Sequence, residues 1–229
     1  MISVVLPVFN EEKNIGFVID NILSFFAKAN QVCEIIAVND GSSDRTGEIL
    51  DGYKAKENVK IISHPKNLGY GAALRSGFKA SQGDLIFFMD SDRQFNIRNI
   101  NSFLEKISGC DFVVGYRQTR QDPKNRILYA KIFHIVVKIF FGIKLKDIDC
   151  AFKLFKKDAI KNMNLESSGA LINLEIFIQA KKKGFSFIEL PVQHFSRTEG
   201  RQTGGSFMVI SKATFNLFRL WFRNLDARF

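Results

Sequence analysis

The sequence predicts an α/β chain built on a mostly parallel sheet flanked by helices. Three observations carry this. Short apolar runs alternate with amphipathic segments along the first half, the runs are continuous in Val, Ile, Leu and Phe, and their carboxyl ends are polar and acidic. Continuous apolar strands, unlike alternating ones, are covered on both faces. Repeated β-α-β units imply parallel strands joined by right-handed crossovers.

The elements follow in order. Residues 2–8 read as a strand and 11–28 as an amphipathic helix. Residues 34–39 read as a strand and 44–56 as a helix, with Asp44 its cap. A short strand at 59–63 precedes a helix at 71–80, and a strand at 85–89 precedes a helix at 96–107. A strand at 112–115 closes the series, and long basic, Phe-rich helices at 126–143 and 207–223 lie in the second half. Ligands of such sheets bind beyond the carboxyl ends of the strands. Those ends read Pro7-Val-Phe-Asn-Glu11, Asn39-Asp-Gly-Ser-Ser-Asp44 and Asp90-Ser-Asp92.

Composition narrows the function. The chain has 229 residues, 46% of them hydrophobic, enough for a core and incompatible with global disorder. Cys33, Cys110 and Cys150 are too scattered for a disulfide framework or a Cys-rich metal site, and read as buried thiols of a reducing compartment. The first residues lack a signal-peptide pattern. The most apolar stretch, 132–143, is interrupted by His134 and Lys138 and falls short of the ~18 residues a membrane span needs. No G-x-G-x-x-G follows the first strand and no P-loop is present, which argues against a dinucleotide cofactor and a P-loop NTPase.

Charge is divided unevenly. Residues 1–116 hold 12 Lys and Arg against 14 Asp and Glu, a net of −2, whereas 117–229 hold 21 against 9, a net of +12. The second half therefore expects an anionic partner: nucleic acid, a membrane surface or a phosphorylated substrate. No nucleic-acid motif and no aromatic-basic interleaving supports the first.

Asp90 and Asp92 end a buried strand one residue apart, and Gln94 follows. Two carboxylates and an amide oxygen are hard ligands suited to Mg²⁺ or Mn²⁺. Asp40 is placed to accept hydrogen bonds from a base or ribose. Glu11 stands at a helix start, where a carboxylate also complements the dipole. Asn67-Leu-Gly-Tyr-Gly-Ala-Ala-Leu-Arg75 fits either an anion-facing helix N-terminus or an ordinary helix start.

Together these pieces are specific. The order P-x-x-N-E, N-D-G-S-x-D, N-x-G-x-x-x-A-x-R-x-G, D-x-D-x-Q and G-Y-R resembles the family 2 nucleotide-sugar glycosyltransferases of GT-A (Rossmann-like) fold. The closest likeness is to their dolichyl- and polyprenyl-phosphate branch. The resemblance covers about residues 1–205. It implies a nucleotide held by Pro7, Phe9, Glu11, Val38 and Asp40, with Arg75, Asp90 and Ser91 assigned to the same donor site. Phe9 stands where Tyr is usual, keeping stacking and losing a hydroxyl. Asp90, Asp92 and Gln94 would hold the metal on the donor diphosphate. Lys146-Asp-Ile-Asp-Cys-Ala-Phe-Lys-Leu-Phe155 resembles the segment beside the acceptor, with Ala151 in place of Gly, and either Asp147 or Asp149 faces the substrate. Arg197 and Gly200 match a late acceptor loop. The Q-x-x-R-W signature of processive synthases is missing.

The resemblance implies inversion by direct displacement of a nucleoside diphosphate, with Asp92 and Asp147 or Asp149 as the catalytic carboxylates. A lipid phosphate monoester, largely dianionic at pH 7 because its second pKa is about 6, attacks without a strong base. Arg117, Arg126 and Arg197 are the expected phosphate ligands. A soluble sugar or protein hydroxyl is the alternative acceptor and would require Asp147 or Asp149 as base. On 126–143, Lys131, His134 and Lys138 share a face, and Lys212, Asn216, Arg219 and Arg223 share one on the last helix, opposite Phe207, Ile210, Phe218, Trp221 and Phe222. Such helices suit a membrane interface, the sheet or a homo-oligomer partner; the basic faces favour the membrane. The expectation is a transferase peripheral on the cytoplasmic membrane face. It divides into a donor-and-metal half (1–116), an acceptor half (117–205) and a C-terminal amphipathic helix (206–229).

Overall fold

A computed structural model describes residues 1–119, 124–197, 199, 217, 220 and 222. Seven strands, β1 (Ile2–Val8), β2 (Cys33–Asn39), β3 (Val59–Ser63), β4 (Leu85–Met89), β5 (Phe112–Arg117), β6 (Phe152–Lys156) and β7 (Phe187–Val192), form one sheet in the order β3-β2-β1-β4-β6-β5-β7. All pairings are parallel except those of β6 with β4 and β5. The mostly parallel α/β fold is therefore as the sequence predicts, with one antiparallel strand inserted from the second half. The chain runs outward from β1 through β2 to β3, then returns to place β4 on the other side of β1. That reversal makes a topological switch point between β1 and β4, where a crevice opens at the strand ends.

Among the described residues seven α-helices connect the strands: α1 (Ile15–Lys28), α2 (Thr46–Asp51), α3 (Tyr70–Ala80), α4 (Ile100–Lys106), α5 (Lys124–Phe141), α6 (Lys157–Lys161) and α7 (Ile172–Lys182). The core face of α1 is Ile15, Val18, Ile19, Ile22 and Phe26, spaced for one side of a helix. α1 begins later than the sequence predicts because Glu11–Asn14 forms a turn, in which Asn14 N–H and Nδ2 both donate to Glu11. A Phe cluster, with Phe87, Phe103 and Phe152 in edge-to-face contact, fills the sheet centre.

On α5, Val137 is fully buried, whereas Leu128, Ile132, Ile135 and Ile139 are 50–73% exposed along one stripe. Lys131 and Lys138 are exposed beside that stripe. His134 turns away from them, its Nε2 accepting from Ile148 N–H at 3.1 Å. Among the described residues no helix is long and apolar enough to cross a membrane. The expectations for Gly200 and most of 206–229 lie outside the described residues. Of the last helix, Leu217, Leu220 and Phe222 are helical, with Leu220 buried against the core.

Candidate active site

The switch point gathers carboxylates from the ends of β1 and β4. Ser91 is buried, and its hydroxyl donates to Pro7 carbonyl at 2.9 Å, which ties the end of β4 to β1. On either side of it, Asp90 and Asp92 are turned into the crevice. Burial, and then the neighbouring Asp92, push the Asp90 carboxyl up to about 7, while a hydrogen bond from Tyr70 opposes this. Burial also raises Asp92, whose Oδ1 accepts from Gln94 N–H at 3.2 Å. Arg93, between them in sequence, is held at φ 65°, with its guanidinium 3.9 Å from the centre of the Phe17 ring. That left-handed kink lets the turn present Asp92 inward while Arg93 points outward.

Glu11, from the β1 end, is buried, and burial raises its carboxyl. Arg197 joins the clusters: its Nη2 donates to Glu11 Oε1 at 2.6 Å, and its Nη1 lies 3.6 Å from Asp92 Oδ2. The segment carrying Arg197 is latched to the acidic turn. Phe195 N–H donates to Gln94 carbonyl, and Gln94 Nε2 donates to Phe195 carbonyl, both at 2.9 Å.

Among the residues expected to meet the acceptor, Arg117 forms a two-pronged ion pair with Asp147, Nε to Oδ2 at 2.6 Å and Nη2 to Oδ1 at 2.8 Å. Asp149, half-buried one turn position on, has no cation bound to it among the described residues. Burial, then Asp147, raise its carboxyl. A cleft of about 610 Å³, lined by Gln118, Thr119, Gln193, His194, Phe195 and Ser196, opens next to Arg117. Arg126 falls on α5, and its side chain lies outside the described residues.

The other expected donor residues are placed as follows. Phe9 is partly exposed at the β1 end. Val38 is fully buried within the sheet, between Pro7 of β1 and Ile62 of β3. Asp40 organises a loop: it accepts from Leu68 N–H, Gly69 N–H and His64 Nδ1 at 2.7–2.9 Å. Arg75 donates to the Leu165 and Glu166 carbonyls at 3.2 and 3.1 Å and so fixes that segment over α3.

Of the two readings of the α3 start, the ordinary one fits the hydrogen bonds. Gly71 and Ala72 N–H donate to Ser168 carbonyl, so the first turn is capped by protein. The glycines admit that loop. Gly69 has φ +101°, and a Cβ on Gly71 would lie 2.3 Å from Ser167 carbonyl oxygen. Gly71→Ala is expected to cost about 1–3 kcal/mol by forcing the loop away. A urea midpoint equal to wild type would show that the loop yields freely.

Tyr70, His64 and Lys153 belong to this region and were not singled out by the sequence. Lys153 had a signal: a lone Lys inside Phe152-Lys-Leu-Phe155, otherwise a buried strand pattern.

Asp90 and Asp92 are chemically fit for a divalent ion. Both are oxygen ligands in a crevice, and each raises the need for positive charge beside the other. Among the described residues no three His, Cys, Asp or Glu side chains gather at metal-binding distance. Two carboxylates with the remaining positions left to water and phosphates is the usual arrangement for Mg²⁺.

Comparison with known proteins agrees with this geometry. Residues 3–163 match Glycosyl transferase family 2. The chain belongs to that family and is a glycosyltransferase. It is 30% identical over 229 residues to dolichyl-phosphate beta-glucosyltransferase ALG5A of Trichomonas vaginalis, covering 92% of this chain and 68% of that protein. It is 28% identical over 214 residues to undecaprenyl-phosphate 4-deoxy-4-formamido-L-arabinose transferase of Aeromonas hydrophila, covering 92% and 65%. The chain thus spans about two thirds of these relatives. Among solved structures, glucosyl-3-phosphoglycerate synthase from Mycobacterium tuberculosis with Mn²⁺, UDP and phosphoglyceric acid shares the fold. Its TM-score is 0.73 at 18% identity, covering 96% of this chain and 78% of that one.

Proposed function

We propose that this glycosyltransferase moves a sugar from a UDP- or GDP-sugar to a polyprenyl phosphate at a membrane surface, and that Asp90, Asp92 and Gln94 would hold Mg²⁺ or Mn²⁺ there. The observation that carries it is the convergence of Glu11, Asp90 and Asp92 with Arg197 at the switch point, beside a second basic-acidic pair, Arg117–Asp147. Relatives named for dolichyl and undecaprenyl phosphate support the acceptor. A bound divalent ion supplies charge neutralisation on the leaving diphosphate.

The chain's own residues do the rest. Phe9 stacks on the nucleotide base, and Pro7, Val38 and Asp40 shape its pocket. Arg197 lies at the border of donor and acceptor, where a guanidinium orients one anion beside another. Asp149 faces the acceptor, because both Asp147 oxygens are taken by Arg117. The α5 stripe, flanked by Lys131 and Lys138, rests on an anionic bilayer. On this reading the protein is peripheral, on the cytoplasmic face of the membrane.

The test is a transfer assay with labelled UDP- and GDP-sugars, Mn²⁺ and either undecaprenyl phosphate or soluble acceptors. Label entering the organic phase only with the lipid is the expected result; label only on soluble acceptors overturns the reading. In vesicle flotation, Ile132→Ser/Ile135→Ser/Ile139→Ser is expected to reduce binding more than tenfold, since each side chain contributes about 1.5–3 kcal/mol when fully buried. Flotation equal to wild type would remove the stripe from the interface.

A further inference from the structure

Lys153 is a charged residue that the transfer reading does not use. It lies in β6, opposite Phe88 of β4, and is fully buried. Its ammonium donates to the Cys150 carbonyl and, at 2.9 Å, to Asn173 Oδ1 of α7. It sits 5.0 Å from the centre of the Phe88 ring and 5.7 Å from that of Phe177. Burying an ammonium costs several kcal/mol unless something compensates it. A carbonyl, an amide and two rings are modest compensation. The rest comes through space from Asp90, Asp147 and Asp149, all within electrostatic reach of the ammonium and none in ion-pair contact with it. Burial nevertheless draws the ammonium down to about 8.

We propose that Lys153 is a positioning residue of the transfer site: its ammonium holds the turn carrying Asp147 and Asp149 against α7 and sets how strongly the carboxylates above it attract a divalent cation. The proposal rests on the metal-dependent transfer reading. Two features lead to it. The tether falls on the carbonyl of Cys150, the residue after Asp149, and Cys150 N–H donates back to Asp147 carbonyl, so the tethered residue closes that turn. The second is charge: Lys153 lies within electrostatic reach of Asp90, Asp147 and Asp149. Removing its positive charge would leave those carboxylates more attractive to a dication. Asp149 would also be free to drift with its turn.

Lys153→Met keeps an unbranched apolar chain as far as the ε position while removing the charge and the donors. Lys153→Met/Asn173→Leu removes the stranded amide acceptor as well, and serves if the single variant folds poorly. The first readout is the Mn²⁺ dissociation constant without nucleotide, from the electron paramagnetic resonance signal of free Mn²⁺ at pH 7. A dication feels the lost repulsion twice and a competing proton once, so binding is expected to tighten, on the order of tenfold. A residue that merely fills space would leave affinity unchanged or weaken it. The second readout is kcat, expected to fall at least tenfold in the same variant.

Mn²⁺ affinity equal to or weaker than wild type in the folded variant overturns the proposal, as does kcat within threefold of wild type. Failure of the wild type to bind Mn²⁺ overturns it too. Wild type that binds Mn²⁺ but transfers no sugar to lipid would instead overturn the transfer reading, and the affinity comparison would still decide the role of Lys153.

Discussion

Asp92→Ala is expected to lower kcat roughly a thousandfold while leaving the fold intact, the usual scale for deleting a group that stabilises transition-state charge. Asp92 is buried, yet its described partners, Gln94 N–H and Arg197, are both parts of the site rather than of the core. Loss of the carboxylate is therefore expected to remove the proposed metal affinity and to loosen Arg197 without opening a cavity in the sheet. Asp92→Asn keeps the Gln94 contact and separates the two effects. Circular dichroism and a Mn²⁺ titration of turnover check this; unchanged turnover at saturating Mn²⁺ would sink the metal assignment. The same centre fixes a pH dependence. At the proposed metal site an ion would bind the ionised form of Asp90, whose carboxyl is pushed up to about 7. Mn²⁺ affinity should climb about tenfold per unit up to pH 7 and flatten above it. The sign for stability is opposite. The folded state holds this proton more tightly than the unfolded chain, so the metal-free protein loses stability as pH rises from the ordinary carboxylate range through 7. Asp90→Asn should then be more stable than wild type at pH 8 and catalytically poor.

The parts of the fold legible in the sequence are those set by local pattern. β1, β3 and β4 fall where continuous apolar runs place them, since burial on both faces needs no distant information. The acidic strand ends were readable for the same reason. β6 was not, because Lys153 breaks its apolar run. Nor was β7, whose Phe187-Ile-Glu-Leu-Pro-Val192 carries a Glu and a Pro suited to an edge strand. The pairings inside the site were also hidden. Arg117, Arg197 and Arg75 all read as basic groups awaiting an anion. Their partners Asp147, Glu11 and the Leu165 carbonyl are distant in sequence and are chosen by the fold. α5 shows the limit of helical periodicity. Lys131, His134 and Lys138 lie within one arc of the helix, yet packing against the Asp147–Cys150 turn draws His134 inward and leaves the lysines in water.

The Arg117–Asp147 pair carries the largest expected effect on stability. Both side chains are at most a tenth exposed, and both Asp147 oxygens are used by one guanidinium. Arg117→Met removes the guanidinium that holds the buried Asp147 carboxylate by both oxygens. Breaking such a pair from one side costs about 3–5 kcal/mol, which in a chain of this size is a fall in Tm of about 10 °C. Replacing both partners removes the carboxylate charge as well, so Arg117→Met/Asp147→Asn should recover most of that loss, with a coupling of at least about 2 kcal/mol. Asn at 147 still accepts from Arg117 backbone N–H, the third bond of the pair, and so preserves the turn. Stability and transfer are expected to part company in the double variant: the melting point returns while the acceptor KM stays high, because the guanidinium beside the cleft is gone. Thermal unfolding of the three variants measures the first, and initial rates against lipid phosphate the second. A double variant with wild-type transfer would show that the pair serves the fold alone; one as unstable as the single variant would show that the guanidinium stabilises the chain through something other than Asp147.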